Sequence, residues 1–141
     1  EALEQNITRF LLELGTGFAF IGRQKEIVVS GKTRKIDMLF YHIRLKCYVV
    51  VELKAVSFEP EFAGKLNFYV TTVNKNMKTE QDNQTIGILI CKDKDDVVAE
   101  YALDDISQPI GIARYELTKV LRDEFKSSLP TIEEIENELS E

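Results

Sequence analysis

Val49, Val50 and Val51 stand side by side in the middle of the chain. Three consecutive β-branched residues put apolar side chains on both faces of the strand they form, so that strand is covered on both faces. This places it inside a sheet rather than at an edge. It also makes an ionisable residue on the same strand costly unless something compensates its charge. Glu52 follows the valines directly, and Lys54 comes two residues later.

Upstream, Ile36, Met38 and Phe40 alternate along a second strand, and a polar turn joins the two into a hairpin spanning Lys35–Lys54. With the turn centred between Arg44 and Leu45, Asp37 and Glu52 lie at equal distances from the centre and face each other. Directly opposed residues have Cβ atoms ~4.5–5.5 Å apart. Two carboxylates so close beside an apolar run repel, and a divalent cation is the natural group to lie between them. Lys54 shares the face of Glu52, about 7 Å further along the strand. An Asp opposite a Glu-x-Lys also occurs as a solvated strand edge, but the neighbouring valines argue for a site.

The rest of the chain supplies the layers. Leu3, Ile7, Phe10, Leu11 and Leu14 have helical spacing and stop at Gly15. Phe18–Val29 reads as a long strand bent at Gly22, with Ser30-Gly31-Lys32 turning it into the Asp37 strand. Gln24 is a candidate to face the acids. Pro60 suits a first helical turn, and Phe62, Leu66, Tyr69, Val70, Val73 and Met77 make a core stripe. Lys65, Asn67 and Tyr69 are candidates to point from the start of that helix toward the acids. A polar loop at 79–84 precedes the buried strand T-I-G-I-L-I-C, and Asp93, Asp95 and Asp96 cap a helix better than they make a second metal site. Pro109 leads into a last strand. The order predicts an α/β three-layer sandwich with a mixed central β-sheet flanked by helices, over residues 1–129. Thr131 and Glu134 have capping-box spacing in an acidic C-terminal helix or tail at 130–141.

Charge at first opposes a nucleic-acid partner, because the net value is −6. Five glutamates lie within residues 130–141, however, and without them the remainder carries −1. Between Arg23 and Lys46, seven basic residues face two acidic ones, an excess able to track phosphates. Arg23, Lys32, Arg34 and Lys35 are the candidate DNA contacts, against the reading of a solvated rim that guards the sheet edge. Cys47 and Cys91 read as strand residues rather than ligands, and His42, beside the turn, reads as solvent-facing. With a single histidine, a His-based zinc site or a Ser-His-Asp triad has little to draw on. No apolar run approaches the ~20 residues of a membrane span, and the start lacks the features of a signal peptide. A soluble cytoplasmic protein is expected. The opening without Met, inside an amphipathic pattern, suggests a piece of a longer chain.

An Asp on one strand and a Glu-x-Lys on the next resembles the PD-(D/E)XK nuclease superfamily, with Asp37 and Glu52-Leu53-Lys54 in those places. The likeness extends to the C-terminal nuclease domain of YhcG-type bacterial proteins, through F-L-L-E-L-G-T-G-F-A-F-I-G-R-Q at Phe10–Gln24 and V-E-L-K at Val51–Lys54. It continues through E-F-A-G-K-L-N-F-Y at Glu61–Tyr69 and D-N-Q-T-I-G-I-L-I-C-K at Asp82–Lys92. The resemblance implies a restriction-endonuclease-like core and a metal-dependent endonuclease. Asp37, Glu52 and the Leu53 carbonyl would hold Mg²⁺ or Mn²⁺, and Lys54 would assist the nucleophile or the transition state. It also implies DNA as partner, a helical region ahead of this domain, and Glu4 or Glu1 as a further acid; a homodimer is a candidate because duplex cleavage commonly uses two sites. Lys65 stands where many members of the superfamily have Gln. The rival readings are a catalytically weak DNA- or protein-binding module on the same fold, and a hairpin that is purely structural.

Overall fold

The computed structural model describes residues 17–115. β1 (Phe18–Val29) and β2 (Lys32–His42) form a hairpin closed by Ser30 and Gly31. Both have positive φ, 54° and 79°, the two-residue turn whose twist matches the flanking strands. The bend expected at Gly22 is present as a register shift between Phe20 and Gly22. β2 then pairs with β3 (Cys47–Ser57) from His42↔Cys47 to Met38↔Val51, the register set by a turn centred between Arg44 and Leu45. There the β2–β3 ladder stops. From Lys32 to Ile36, β2 is paired only with β1, so the outer hairpin is a two-stranded ribbon projecting from the sheet.

β4 (Ile86–Asp93) and β5 (Ile110–Arg114) continue the sheet in the order β1-β2-β3-β4-β5, with β3, β4 and β5 mutually parallel. Parallel neighbours need crossovers. α1 (Pro60–Asn76) makes the first and α2 (Asp96–Leu103) the second. Both pack on one face of the sheet, over Leu39, Val50, Leu89 and Ile112. Phe18, Met38, Phe40, Val49, Val51 and Ile90 make the core on the other face. The three valines have no exposed surface and divide between the two faces. The mixed α/β sheet expected from the sequence is therefore the one observed.

α1 begins at Pro60 and buries Leu66, Tyr69, Val70 and Val73, with Phe62 and Met77 half-buried, as the stripe predicted. It lies so close to β4 that a Cβ on Gly87 would stand 2.8 Å from Val70 Cγ2 and 3.1 Å from Leu66 Cγ. Gly87→Ala should therefore destabilise the fold by about 1–3 kcal/mol, as overpacking does, and urea denaturation will measure it. Asp95 caps α2 by accepting from the Val97 and Val98 N–H groups at 2.9 and 3.1 Å. Asp93 and Asp96 lie near Arg114 and Lys94, at 3.7 and 3.2 Å. Capping by Asp95 and the ion pairs of Asp93 and Asp96 thus account for the acid cluster.

His42 corrects an expectation. It is fully buried, because alternation along β2 turns it to the Met38 and Phe40 side, edge-on to Phe18 with ring centroids 4.9 Å apart. Its Nδ1 accepts from the Leu45 N–H at 3.1 Å and so closes the turn from inside. Gly17, with φ 110°, packs on the same ring, leaving only 3.0 Å to His42 Cε1 for a Cβ. Both cysteines are buried free thiols, as expected. Among the described residues no helix is long and apolar enough to cross a membrane. The N-terminal helix expected at Leu3–Leu14, the candidate acids Glu1 and Glu4, and the acidic tail lie outside the described residues.

Candidate active site

The point where the β2–β3 ladder ends is where the two acids sit. Beyond Met38↔Val51 the strands separate, leaving the Asp37 and Leu53 N–H groups without ladder partners. Each is taken by a carboxylate from the opposite strand. Asp37 N–H donates to Glu52 Oε2 at 2.9 Å, and Leu53 N–H donates to Asp37 Oδ2 at 3.0 Å. This reciprocal pair fixes both side chains and presses the Leu53 main chain against the acids. Glu52 Oε1 accepts no hydrogen bond among the described residues.

The electrostatics follow from this packing. Glu52 is only 2 % exposed, and burial, with the charge of Asp37 added, pushes its carboxyl up to about 7. The Asp37 N–H and the charges of Lys65 and Lys54 pull it back toward the ionised form. Lys54 stands on the same face, half-buried, with Nζ 5.1 Å from the centroid of Phe62. Phe62 in turn packs edge-on against Phe58. One turn along α1, exposed Lys65 holds Nζ 5.8 Å over Tyr69. The Tyr69 hydroxyl titrates high, from burial first and then from the Glu52 charge, partly offset by Arg34.

Asp37, Glu52, Lys54, Lys65 and Tyr69 thus come together as the sequence suggested. Gln24 joins them, with Nε2 3.4 Å from Asp37 Oδ1. Asn67 does not, because it bonds Gln108 Nε2 at 2.6 Å and ties α1 to the loop before β5. The basic candidates separate. Arg34 lies against α1, its guanidinium carbon 5.1 Å from the centroid of Phe68. Arg23 pairs with Met38 and so shares the opposite face of the sheet. Lys32 is at the ribbon tip, and Lys35 is exposed across from Glu26. Sequence reasoning missed Phe68, which is 38 % exposed. Its signal was an aromatic off the core stripe, three residues after Lys65.

Two carboxylates, a main-chain segment held beside them and a lysine form an oxygen-rich site. Among the described residues no third acid, histidine or cysteine joins to make a closed cage. Such a set fits Mg²⁺ or Mn²⁺, since Mg²⁺ keeps several waters and is commonly held by one or two carboxylates. The close acids, Glu52 buried and Asp37 half-buried, also carry a charge that a cation would offset.

A mixed sheet whose antiparallel meander runs into parallel strands, with paired acids at the split, defines a restriction-endonuclease-like fold. Two solved structures share it, each with a TM-score of 0.54. The structure of an EndoMS–dsDNA complex is 19 % identical, over 76 % of this chain and 39 % of that one. A repair endonuclease from Pyrococcus abyssi is 18 % identical, over 82 % of this chain and 46 % of that one. The family model for the YhcG PDDEXK nuclease domain matches residues 1–130, and the chain belongs to that family. An Escherichia coli (strain K12) protein named "Putative nuclease YhcG" is 33 % identical over 138 residues, 95 % of this chain. The chain spans 37 % of the length of that relative.

Proposed function

We propose that this nuclease domain hydrolyses DNA phosphodiester bonds with a divalent cation, Mg²⁺ or Mn²⁺, held by Asp37, Glu52 and the Leu53 carbonyl. The observation that carries this reading is the reciprocal locking of two adjacent carboxylates at the strand split, with Lys54 on the same face. The similarity to a structure solved with double-stranded DNA supports the choice of polymer. When bound, the cation supplies an acidic water and offsets charge on the scissile phosphate. The protein's own groups do the rest. Asp37 and Glu52 present a fixed anionic pair, and Lys54 Nζ, steadied by Phe62, orients the attacking water or stabilises charge developing on the phosphoryl oxygens. Lys65 and Arg34 flank the site from α1 and the ribbon and are the proposed phosphate contacts, with Tyr69 supporting Lys65. Pairing of two domains would bring one centre to each strand of a duplex. A helical region ahead of the domain, which the resemblance to YhcG-type proteins implies, would select the DNA structure.

The test is calorimetry of Mn²⁺ binding followed by plasmid nicking on the same sample. Binding and nicking by the wild type are expected. Lys54→Ala should leave the Mn²⁺ affinity within a factor of about two while lowering nicking roughly 100- to 1,000-fold, the loss typical of one preorganised electrostatic group. A wild-type chain that binds DNA in EDTA and never cuts it with any divalent metal would replace this reading with a binding module.

A further inference from the structure

We propose that Gln24 is the positioning residue of the acid pair, a neutral clamp that sets the carboxylate of Asp37. This deepens the role proposed for that site and rests on it only for its catalytic consequence.

Three observations converge on Gln24. Its φ is 54°, whereas the other described non-glycine residues with positive φ, Ser30 and Lys46, occupy turns. A left-handed residue carrying a Cβ inside a strand is strained and persists only where its surroundings enforce it. Second, Gln24 lies between the pairs Arg23↔Met38 and Lys25↔Ile36, so the residue across from it is Asp37. Third, the face alternation of β2 breaks there. Ile36 and Leu39 are three residues apart and would face opposite sides of a regular strand, yet both are buried in the core under α1. Alternation from Leu39 already puts Asp37 on the side of Glu52, so the break falls between Asp37 and Ile36, and the left-handed Gln24 across from Asp37 is the matching distortion in the neighbouring strand.

The side chain completes the argument. Its amide Nε2 approaches Asp37 Oδ1 at 3.4 Å while the Leu53 N–H holds Oδ2, so donors on both oxygens fix the carboxylate plane. A lysine or arginine in this place would neutralise the acid and repel a cation. An amide orients the acid and leaves its charge intact. Strain at the backbone and a neutral donor at the tip therefore serve one end, the aim of Asp37 across the strand split.

The test separates positioning from stability. Gln24→Gly relieves the backbone and removes the amide, whereas Gln24→Leu keeps the strain and removes only the amide. Gln24→Gly is expected to melt at or above the wild-type temperature, and Gln24→Leu close to it. In both, the metal-free Leu53 N–H should exchange with solvent about tenfold faster, because its acceptor swings free, while the Val50 and Leu89 N–H groups keep their wild-type rates. Both should also bind Mn²⁺ and nick plasmid about tenfold less well, the upper loss typical of an outer partner of a metal ligand being greater still. Wild-type Leu53 exchange in both variants overturns the proposal whether or not the chain cuts DNA. So does undiminished Mn²⁺ binding and nicking in a Gln24→Gly variant made from an active wild type. A wild type that neither binds Mn²⁺ nor nicks overturns the nuclease reading instead, and Leu53 exchange then decides Gln24 by itself.

Discussion

Plasmid nicking in saturating Mn²⁺ is expected to fall at least about a thousandfold in Asp37→Ala and in Glu52→Ala, a loss of about 4 kcal/mol of transition-state stabilisation. The Mn²⁺ heat of binding should vanish with it. The two effects belong together because each acid does two things in the fold. Asp37 Oδ2 and Glu52 Oε2 hold each other's strands at the split, so removing one carboxylate deletes a donor of charge and frees the main chain beside its partner. Asp37→Asn and Glu52→Gln separate these roles, since an amide oxygen can still accept the N–H bond. They should stay folded and remain inactive. Retained nicking in either alanine variant would remove Asp37 and Glu52 from the chemistry.

Without metal, the stability of the wild type should fall as pH rises. Glu52 titrates at about 7 in the folded chain against an ordinary value of 4.5, so the folded state holds the proton more tightly than the unfolded one. Its contribution is complete below 4.5, declines through the interval, and is lost above about 7. The loss amounts to roughly 3 kcal/mol at pH 8, taking 1.36 kcal/mol per pH unit. Glu52→Gln cannot ionise and should be the more stable chain by a similar amount at pH 8, yet match the wild type near pH 4. Urea denaturation in EDTA at several pH values measures this directly. The same proton competes with metal, so Mn²⁺ affinity should weaken as pH falls below about 7, approaching tenfold per pH unit, and calorimetry will follow it. A wild-type stability that rises between pH 5 and 8 would contradict the burial argument.

The opposition of Asp37 and Glu52 was legible because a hairpin's register is arithmetic once its turn is placed, and Met38, Phe40 and the valines fit that placement. Ile36 was misread onto the face of Met38 and Phe40, whereas the break in alternation buries it on the other face, under α1. The stripe on α1 was legible for a similar reason, since Leu66, Tyr69, Val70 and Val73 fit only a helical period. His42 was misread because nearness to a turn was weighted above alternation, although its even number in β2 put it with Met38 and Phe40. The reciprocal bonds of the acids were not legible at all. They depend on where the ladder stops, and hydrophobic alternation does not record the separation of strands. Gln24 was nameable as a neighbour, but its left-handed backbone leaves no trace in residue type, because glutamine has no special preference for positive φ. Phe68 escaped because its value lies in a contact with Arg34 from an element 34 residues earlier.

The projecting ribbon has a mechanical consequence. From Lys32 to Lys35 it gains no support from β3, an arm of about 13 Å at ~3.3 Å per residue, while Ile36 at its base and Ile27 opposite Arg34 are buried in the core under α1. Asp37 sits at its root, next to the last rung that anchors β2 to the sheet. Arg34 on Phe68 is a stay that braces the arm against α1. A load applied at the basic tip is therefore transmitted as torque to the fulcrum, and the fulcrum is an acid of the candidate site. A pull on the arm would be expected to bear on the gap between Asp37 and Glu52.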